Sequence, residues 1–277
     1  MTATDDTLER LTRALRDRYE LLGEAGRGGM ASVYRARDVQ RDLPVAIKVM
    51  RSDLAAALGV ARFTREIEIA RSLSHPLIVP LAESGDADGT LFYVMPFVEG
   101  ESVFERLERE RRLPIDEALR ITRDVADALG YAHRRGILHR DVKPENILLA
   151  GGRALVADFG LARAIGAADS RRLTATGVVV GSAYYMSPEQ LREDIHLDGR
   201  ADIYSLGCVL FEMLTGGPPF TATSLKEVAL RILRSPPPSV RAIRPDVPIA
   251  VERALERALA KSAGERFATM EEFAAAL

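Results

Sequence analysis

The octet HRDVKPEN, His139–Asn146, constrains the fold of this chain more than any other stretch. Pro144 interrupts a regular helix, so the octet favours a loop. A loop with these charged and polar groups is costly unless the groups meet charged ligands. Asp141 can orient a hydroxyl or accept its proton, Lys143 can neutralise a phosphoryl group, and Asn146 offers an oxygen to Mg²⁺. A polar loop with an aspartate cap is the alternative interpretation.

A second acidic candidate, Asp158, stands in ADFG, and the short apolar run ALVA leads into it. A carboxylate at the end of a strand and beside a glycine is a suitable hard-oxygen ligand for Mg²⁺. The motif is common by itself, so Asp158 becomes a candidate only together with the 139–146 octet.

The stretch GRGGMASV, Gly26–Val33, is rich in glycine. Glycine lets the backbone turn tightly and bring amide N–H donors close to phosphate oxygens. The stretch lacks the Gly-Lys-Ser/Thr ending of a Walker loop, and a strand follows it instead of a helix. Both facts argue against P-loop and Rossmann sites. A plain glycine-rich hairpin turn is the alternative interpretation.

The strand-like run LPVAIKVM places Lys48 at the end of VAIK. Its ammonium is suited to gripping phosphates beneath a glycine-rich hairpin, although a lysine here can also extend to solvent. A phosphate-binding lysine needs a carboxylate to hold it, and the predicted helix 61–73 offers Glu66 and Glu68. These two point to different faces of the helix, and Glu66 lies next to the apolar position Ile67. We therefore expect Glu66 to be the partner of Lys48.

Composition narrows the class of protein. The 277 residues are 47% hydrophobic and 28% charged, and 38 basic against 40 acidic side chains give a formal charge of −2. This balance indicates an ordinary globular protein and no nucleic-acid partner. The single cysteine, Cys208, excludes an intrachain disulfide, and the four histidines lack zinc-ligand spacing. Because no signal-peptide core and no apolar run near the roughly 20 residues of a membrane span occurs, we expect a cytoplasmic location.

Periodicity divides the chain into parts. Residues 7–18 have apolar positions at helical spacing and predict a short helix within an N-terminal extension, 1–18. Residues 19–97 contain strand-like runs interrupted by one clear helix, and residues 98–277 are mostly helical. The predicted fold class is α+β, with a small β-rich lobe that carries one key helix and a larger α-helical lobe.

The glycine-rich stretch, VAIK, HRDVKPEN and ADFG occur in the order of the protein-kinase signature set. On these motifs the chain resembles a bacterial serine/threonine protein kinase of the Hanks type, in the PknB-like group, from about Tyr19 to Leu277. The resemblance implies the bilobal protein-kinase fold and one catalytic domain over 19–277. It also implies ATP and Mg²⁺ as cofactors, with Mn²⁺ as an alternative ion, and γ-phosphoryl transfer to protein serine or threonine hydroxyls.

The resemblance assigns roles to individual residues. Lys48 matches the lysine on the α- and β-phosphates, with Glu66 as its partner, and Asp141 matches the catalytic base. Lys143 follows the serine/threonine-kinase pattern. The implied Mg²⁺ ligands are Asn146 and Asp158. The implied nucleotide contacts are Gly26, Gly28, Gly29, Val33, Ala46, Lys48, Met95, Pro96, Val98 and Leu148.

The same resemblance implies two further structural roles, an ion pair and a carboxylate that braces a loop. Glu189 of SPEQ resembles the glutamate that pairs with a late arginine, here Arg266 in GERF. Asp202 resembles the helix aspartate that braces the catalytic-loop backbone.

The stretch LTATGVVVGS lies between ADFG and SPEQ, where the resemblance places an activation segment. Thr174 and Thr176 match paired autophosphorylation sites, and a phosphate there is expected to recruit Arg140 and order the segment. Ser182 takes the place of a threonine whose hydroxyl can bond to the catalytic aspartate and lysine.

The chain departs from the family pattern at three positions. Ala31 replaces the third glycine of the loop, Ser187 replaces the alanine before Pro-Glu, and Pro96 stands where an acidic residue is frequent. Pro96 removes an N–H but keeps the carbonyl that adenine uses. None of these changes removes a catalytic group.

Other interpretations stay open at this point. A nucleotide-binding pseudokinase scaffold is opposed by the complete set of catalytic side chains, and a small-molecule phosphotransferase by the long segment between ADFG and SPEQ. The N-terminal helix either packs on its own lobe or contributes to a weak homodimer. The chain can also be the cytosolic domain of a longer, membrane-anchored receptor kinase.

Overall fold

The computed structural model describes residues 3–29, 31–87, 89–159 and 182–277. The described residues form two compact units. The first unit contains residues 3–74 and 79–99, and the second contains 75–78, 100–159 and 182–277. The short segment 75–78 belongs to the second unit because Leu77 accepts a hydrogen bond from Val156 N–H (2.8 Å).

The first unit is built on a five-stranded antiparallel sheet in the order β1-β2-β3-β5-β4. Its strands are β1 (Tyr19–Arg27), β2 (Ala31–Asp38), β3 (Leu43–Met50), β4 (Glu83–Ala87) and β5 (Thr90–Pro96). The predicted strand-like runs SVYRARD, LPVAIKVM and TLFYVMPFV correspond to β2, β3 and β5, whereas β1 and β4 were not predicted. Gly28 and Gly29 of the glycine-rich stretch lie between β1 and β2, and its other described residues belong to the ends of these two strands.

Three helices of the first unit are α1 (Ala3–Leu15), α2 (Ser52–Leu58) and α3 (Val60–Arg71). The predicted helix 61–73 corresponds to α3, which buries Phe63, Glu66, Ile67 and Ala70 on one face. The short α2 was not predicted. Compared with the predicted helix 7–18, α1 begins four residues earlier and ends three residues earlier. It ends at Leu15 because the chain enters the sheet at Tyr19, which pairs with Asp38.

Helix α1 packs against β1 and β4 of its own unit. Leu11 and Leu15 are buried in one cluster with sheet residues such as Tyr34 and Val94. Arg18 and Glu83 form an ion pair beside this contact. The side chains of α1 thus contribute to the core of the small unit, as one of the two sequence-based interpretations expected, and a homodimer stays a prediction.

The second unit is mainly helical. Its helices are α4 (Val103–Glu110), α5 (Ile115–His133), α6 (Pro188–Leu191), α7 (Arg200–Thr215), α8 (Leu225–Arg234), α9 (Val240–Ile243), α10 (Ile249–Ala258) and α11 (Met270–Ala275). Helix α7 is buried along almost its whole length, including Cys208, so it forms the centre of this unit. Within the described ranges, no helix has both the length and the apolar character of a membrane span.

A small three-stranded sheet accompanies the helices of the second unit. It contains β6 (Glu101–Ser102), β7 (Ile147–Ala150) and β8 (Arg153–Val156), with β7 in the middle. The 139–146 octet leads into β7 through a short 3₁₀ turn, Pro144–Asn146, and ADFG leaves the end of β8. The small sheet therefore fixes the positions of the backbone at both predicted Mg²⁺ ligands, Asn146 before β7 and Asp158 after β8.

Candidate active site

The 139–146 loop brings three predicted site residues together. The Nζ atom of Lys143 lies 2.7 Å from Oδ2 of Asp141. The Nδ2 atom of Asn146 donates to the carbonyl oxygen (2.8 Å) and to Oδ2 (3.1 Å) of Asp141. The same carboxylate oxygen of Asp141, Oδ2, is thus held by the Lys143 cation and by the Asn146 amide.

Opposing effects act on the Lys143 ammonium. Burial disfavours its charge, but Asp141 attracts it and accepts its hydrogen bond, and Glu145 and Asp158 add further negative charge. The attraction outweighs the burial, so the pKa of Lys143 lies above its ordinary value. Lys143 is therefore a firmly charged cation beside Asp141.

His139 connects the loop to the segment that carries Asp158. Because a carbonyl oxygen only accepts, His139 Nε2 donates to Ala157 O (2.8 Å), which leaves Nδ1 to accept from Asp141 N–H (3.2 Å). The ring of Phe159 packs edge-on against the His139 ring, with centroids 4.7 Å apart. The imidazole therefore holds the backbones of the 139–146 loop and ADFG together.

Asp202 of α7 braces the same loop, as the resemblance predicted. Its carboxylate accepts hydrogen bonds from the backbone N–H groups of His139 (2.9 Å) and Arg140 (2.8 Å). The third donor is His133 Nε2 at 2.7 Å. Burial opposes the charge of Asp202, but these donors outweigh it and hold its pKa below the ordinary value. The buried carboxylate also supports the left-handed backbone of Arg140 (φ 67°).

His133 was not predicted from the sequence to take part in this arrangement. The residue ends α5, and Gly199 allows its close approach, because a Cβ on Gly199 would lie 2.6 Å from the His133 ring. The only signal in the sequence was Gly199, three residues before Asp202. This glycine can be interpreted only once the fold is known.

The two predicted Mg²⁺ ligands flank adjacent strands of the small sheet. Asn146 precedes β7 and Asp158 follows β8, and Ala157 N–H donates to Asn146 O (3.0 Å). A carboxylate and an amide oxygen are hard donors that suit Mg²⁺. Since the Asn146 amide nitrogen is already used toward Asp141, its oxygen is the atom left for a cation. The donor set therefore fits this ion.

In the first unit, Lys48 lies on β3 opposite Val33 of β2 and Tyr93 of β5. Glu66 is buried, with 6% of its surface exposed, whereas Glu68 is exposed. This burial agrees with the choice of Glu66 over Glu68, because a buried carboxylate requires a partner. The pairing of Lys48 with Glu66 stays a prediction.

The other predicted nucleotide contacts of the first unit lie on its sheet and the segment after it. Gly26 pairs with Val33 across β1 and β2, and Ala46 pairs with Met95 across β3 and β5. Pro96 ends β5 and is exposed. The remaining positions are Gly28 and Gly29 in the turn, and Val98 after β5. In the second unit, Leu148 lies on β7.

Of the predicted regulatory residues, Thr174 and Thr176 lie outside the described residues. Ser182 begins a 3₁₀ turn, Ser182–Tyr185, and its role stays a prediction. Arg140 lies in the 139–146 loop, and its carbonyl accepts a hydrogen bond from Gln190 Nε2 (2.8 Å). This contact, which the sequence did not reveal, links the loop to α6.

Comparison with known proteins shows the family of this chain. Residues 19–269 match the protein kinase domain family, and the chain belongs to it. The chain is 43% identical over 271 residues, 95% of its length, to the serine/threonine-protein kinase PknB of Mycobacterium leprae. It is 41% identical over 260 residues, 93% of its length, to the serine/threonine-protein kinase PrkC of Bacillus subtilis. The matched parts are 43% and 40% of those relatives, so the chain spans about two fifths of their length. The resemblance to PknB-like bacterial kinases is thus confirmed.

Proposed function

We propose that this chain is the catalytic part of a serine/threonine protein kinase that transfers the γ-phosphoryl group of ATP to hydroxyl groups of proteins. The observation that carries the proposal is the hydrogen-bonded group of Asp141, Lys143 and Asn146 on a loop braced by Asp202. The names of the two relatives support the choice of serine and threonine as acceptors.

In the proposed reaction Asp141 orients the acceptor hydroxyl and takes its proton. The new bond from the hydroxyl oxygen to the γ-phosphorus forms as the bond from that phosphorus to the β,γ-bridging oxygen breaks, and ADP leaves. The exposed fractions of the Asp141 and Lys143 side chains are 20% and 14%, so both remain within reach of a substrate. Lys143 neutralises charge on the phosphoryl group in transit. Positioning and charge neutralisation supply most of the rate, since phosphoryl transfer needs little covalent help from the protein.

Asn146 and Asp158 would hold Mg²⁺, which neutralises the phosphates of ATP when it is bound. In the first unit, Lys48 held by Glu66 would contact the α- and β-phosphates, and the backbone of the turn after Gly26 would cover them. Adenine would use the carbonyl of Pro96 and the N–H of Val98.

Activation by autophosphorylation is part of the proposal. Phosphate on Thr174 or Thr176 adds roughly −1.5 to −2 charge and would pair with Arg140. Mapping of phosphorylated residues after incubation with ATP checks this step. A Thr174→Ala/Thr176→Ala protein as active as the wild type would contradict it.

Radiolabelled ATP with a generic protein substrate tests the function itself. We expect Asp141→Asn to lower transfer by on the order of 100-fold or more while ATP binding changes little. Asp246→Asn is the matched control, because Asp246 is an exposed carboxylate of the same unit. Wild-type protein that binds ATP without transferring phosphate would support the pseudokinase alternative instead.

A further inference from the structure

Arg51 connects the first turn of α2 to the glycine-rich turn between β1 and β2. Its Nη1 atom donates to the carbonyl oxygen of Gly29 at 3.0 Å. Its Nε and Nη2 atoms donate to the two carboxylate oxygens of Asp53, at 3.1 and 2.9 Å. The Nε and Nη2 edge of the Arg51 guanidinium therefore binds the Asp53 carboxylate, while Nη1 binds the backbone of the glycine-rich turn.

The sheet register explains why Arg51 reaches the turn. Met50, the last residue of β3, pairs with Ala31, the first residue of β2. Arg51 follows Met50 at once and thus lies beside the end of the β1–β2 hairpin. The hairpin itself is closed by a hydrogen bond from Gly28 N–H to Ala31 O (2.9 Å).

A turn of glycines has little to restrain it, because glycine has wide backbone freedom and no side chain to pack. The Arg51 contact fixes the direction of the carbonyl of Gly29. A planar guanidinium held at both oxygens of Asp53 is already oriented, so it loses little further freedom when it binds this carbonyl. Asp53 thus orients Arg51, and Arg51 orients the turn.

We infer that the Arg51–Asp53 pair is a positioning device for the nucleotide, which holds the glycine-rich turn over the phosphates and slows nucleotide release. The inference rests on the proposed function, since it needs a nucleotide beneath the turn. Arg51 acts through the turn backbone and is a positioning residue.

A simpler role for Arg51 is long-range attraction of anionic nucleotides, and the two roles predict opposite effects at Asp53. Removal of the Asp53 carboxylate makes the region more positive, so pure attraction predicts slower nucleotide release. The positioning role predicts faster release, because Arg51 loses its orientation. Arg51→Lys separates the roles again, since lysine keeps the charge without the planar fork.

The test measures dissociation of a fluorescent ADP analogue by stopped flow, with Mg²⁺ present. We expect Arg51→Met, Arg51→Lys and Asp53→Ala each to accelerate dissociation by about two- to tenfold, the range of a partly exposed, charge-assisted hydrogen bond. The matched control is Arg37→Met, at the other end of β2. Arg37 is similarly exposed and binds Glu20 and Asp42, away from the turn. Its dissociation rate should stay within about twofold of the wild type.

The midpoint of thermal unfolding should be the same in all variants, because both partners are surface residues. Slower release from Asp53→Ala, or wild-type rates in all three variants, would overturn the inference and leave the proposed function intact. A wild-type protein that binds no ADP analogue would overturn both.

Discussion

Arg266 and Glu189 form a two-pronged ion pair inside the second unit, with Nη1–Oε1 and Nη2–Oε2 distances of 2.6 and 2.8 Å. The Arg266 side chain has no exposed surface, and its guanidinium also donates to the carbonyl oxygens of Ala260 and Arg200, both at 2.8 Å. The pair therefore ties α6, at the end of the predicted activation segment, to the C-terminal part of the chain.

Arg266→Met should lower the free energy of unfolding by about 3–5 kcal/mol, because it leaves the Glu189 carboxylate buried without its cation. Urea denaturation measures the loss. The double variant Glu189→Met/Arg266→Met should lose less than the single variant, since no charge is left in the interior. An equal or larger loss in the double variant would show that packing, and not the unpaired charge, dominates.

Glu212 should make stability depend on pH near neutrality. Burial raises the pKa of Glu212 to about 7. The hydrogen bond that Tyr185 Oη donates (2.5 Å) lowers this pKa, but the negative charges of Glu145 and Glu108 raise it further. The folded protein therefore holds this proton more tightly than the unfolded chain. Its contribution to stability is fully present below the ordinary pKa of 4.5 and is lost as pH rises through about 7.

The comparison variant is Glu212→Gln, which keeps an acceptor for Tyr185 and cannot ionise. Between pH 4.5 and 8 the wild type should lose on the order of 2–3 kcal/mol of unfolding free energy relative to this variant. Parallel urea titrations across this range measure the difference. Parallel pH profiles for the two proteins would contradict the raised pKa.

Leu11 should contribute to stability as a core residue, although it lies outside the region that matches the kinase family. Leu11→Ala removes a fully buried side chain and should cost about 2–5 kcal/mol of unfolding free energy. Arg16→Ala, an exposed change just after α1, should stay within about 0.5 kcal/mol of the wild type. Equal stability of the two variants would mean that α1 is only loosely attached.

Asp202→Asn should lower kcat by on the order of 100-fold, because an amide group placed against the N–H donors of His139 and Arg140 shifts the 139–146 loop. The nucleotide contacts predicted in the first unit are unchanged, so KM for ATP should change little. Steady-state kinetics with the radiolabel assay measure both constants. A variant with normal kcat would show that His133 and the remaining contacts hold the loop without this carboxylate.

The parts predicted well from the sequence are those where one local pattern decides. The fold class and the grouping of Asp141, Lys143 and Asn146 follow from periodicity and from spacing within a single octet. Helix geometry also favours Glu66 over Glu68, and the buried position of Glu66 agrees with that choice, whereas its pairing with Lys48 stays a prediction.

The parts missed depend on distant partners. Strand β4 has the sequence ESGDA, with little preference for a strand, and it forms because it pairs with β5. Gly85 of β4 lies against the ring of Phe92, where a Cβ would lie 2.7 Å from Cζ. His133, Gln190 and Arg51 were missed for a similar reason, since each acts on a backbone segment or carboxylate that only the fold brings near.

Helix α1 shows that the region that matches the kinase domain family and the compact small unit of this chain have different boundaries. The family match begins at Tyr19, but the core of the small unit begins with the leucines of α1. A protein cut to residues 19–277 would keep every sequence motif and would expose the sheet surface that Leu11 and Leu15 cover. Its catalytic residues would be intact while its solubility and lifetime suffered, so an inactive short form should not be taken as evidence against the active site.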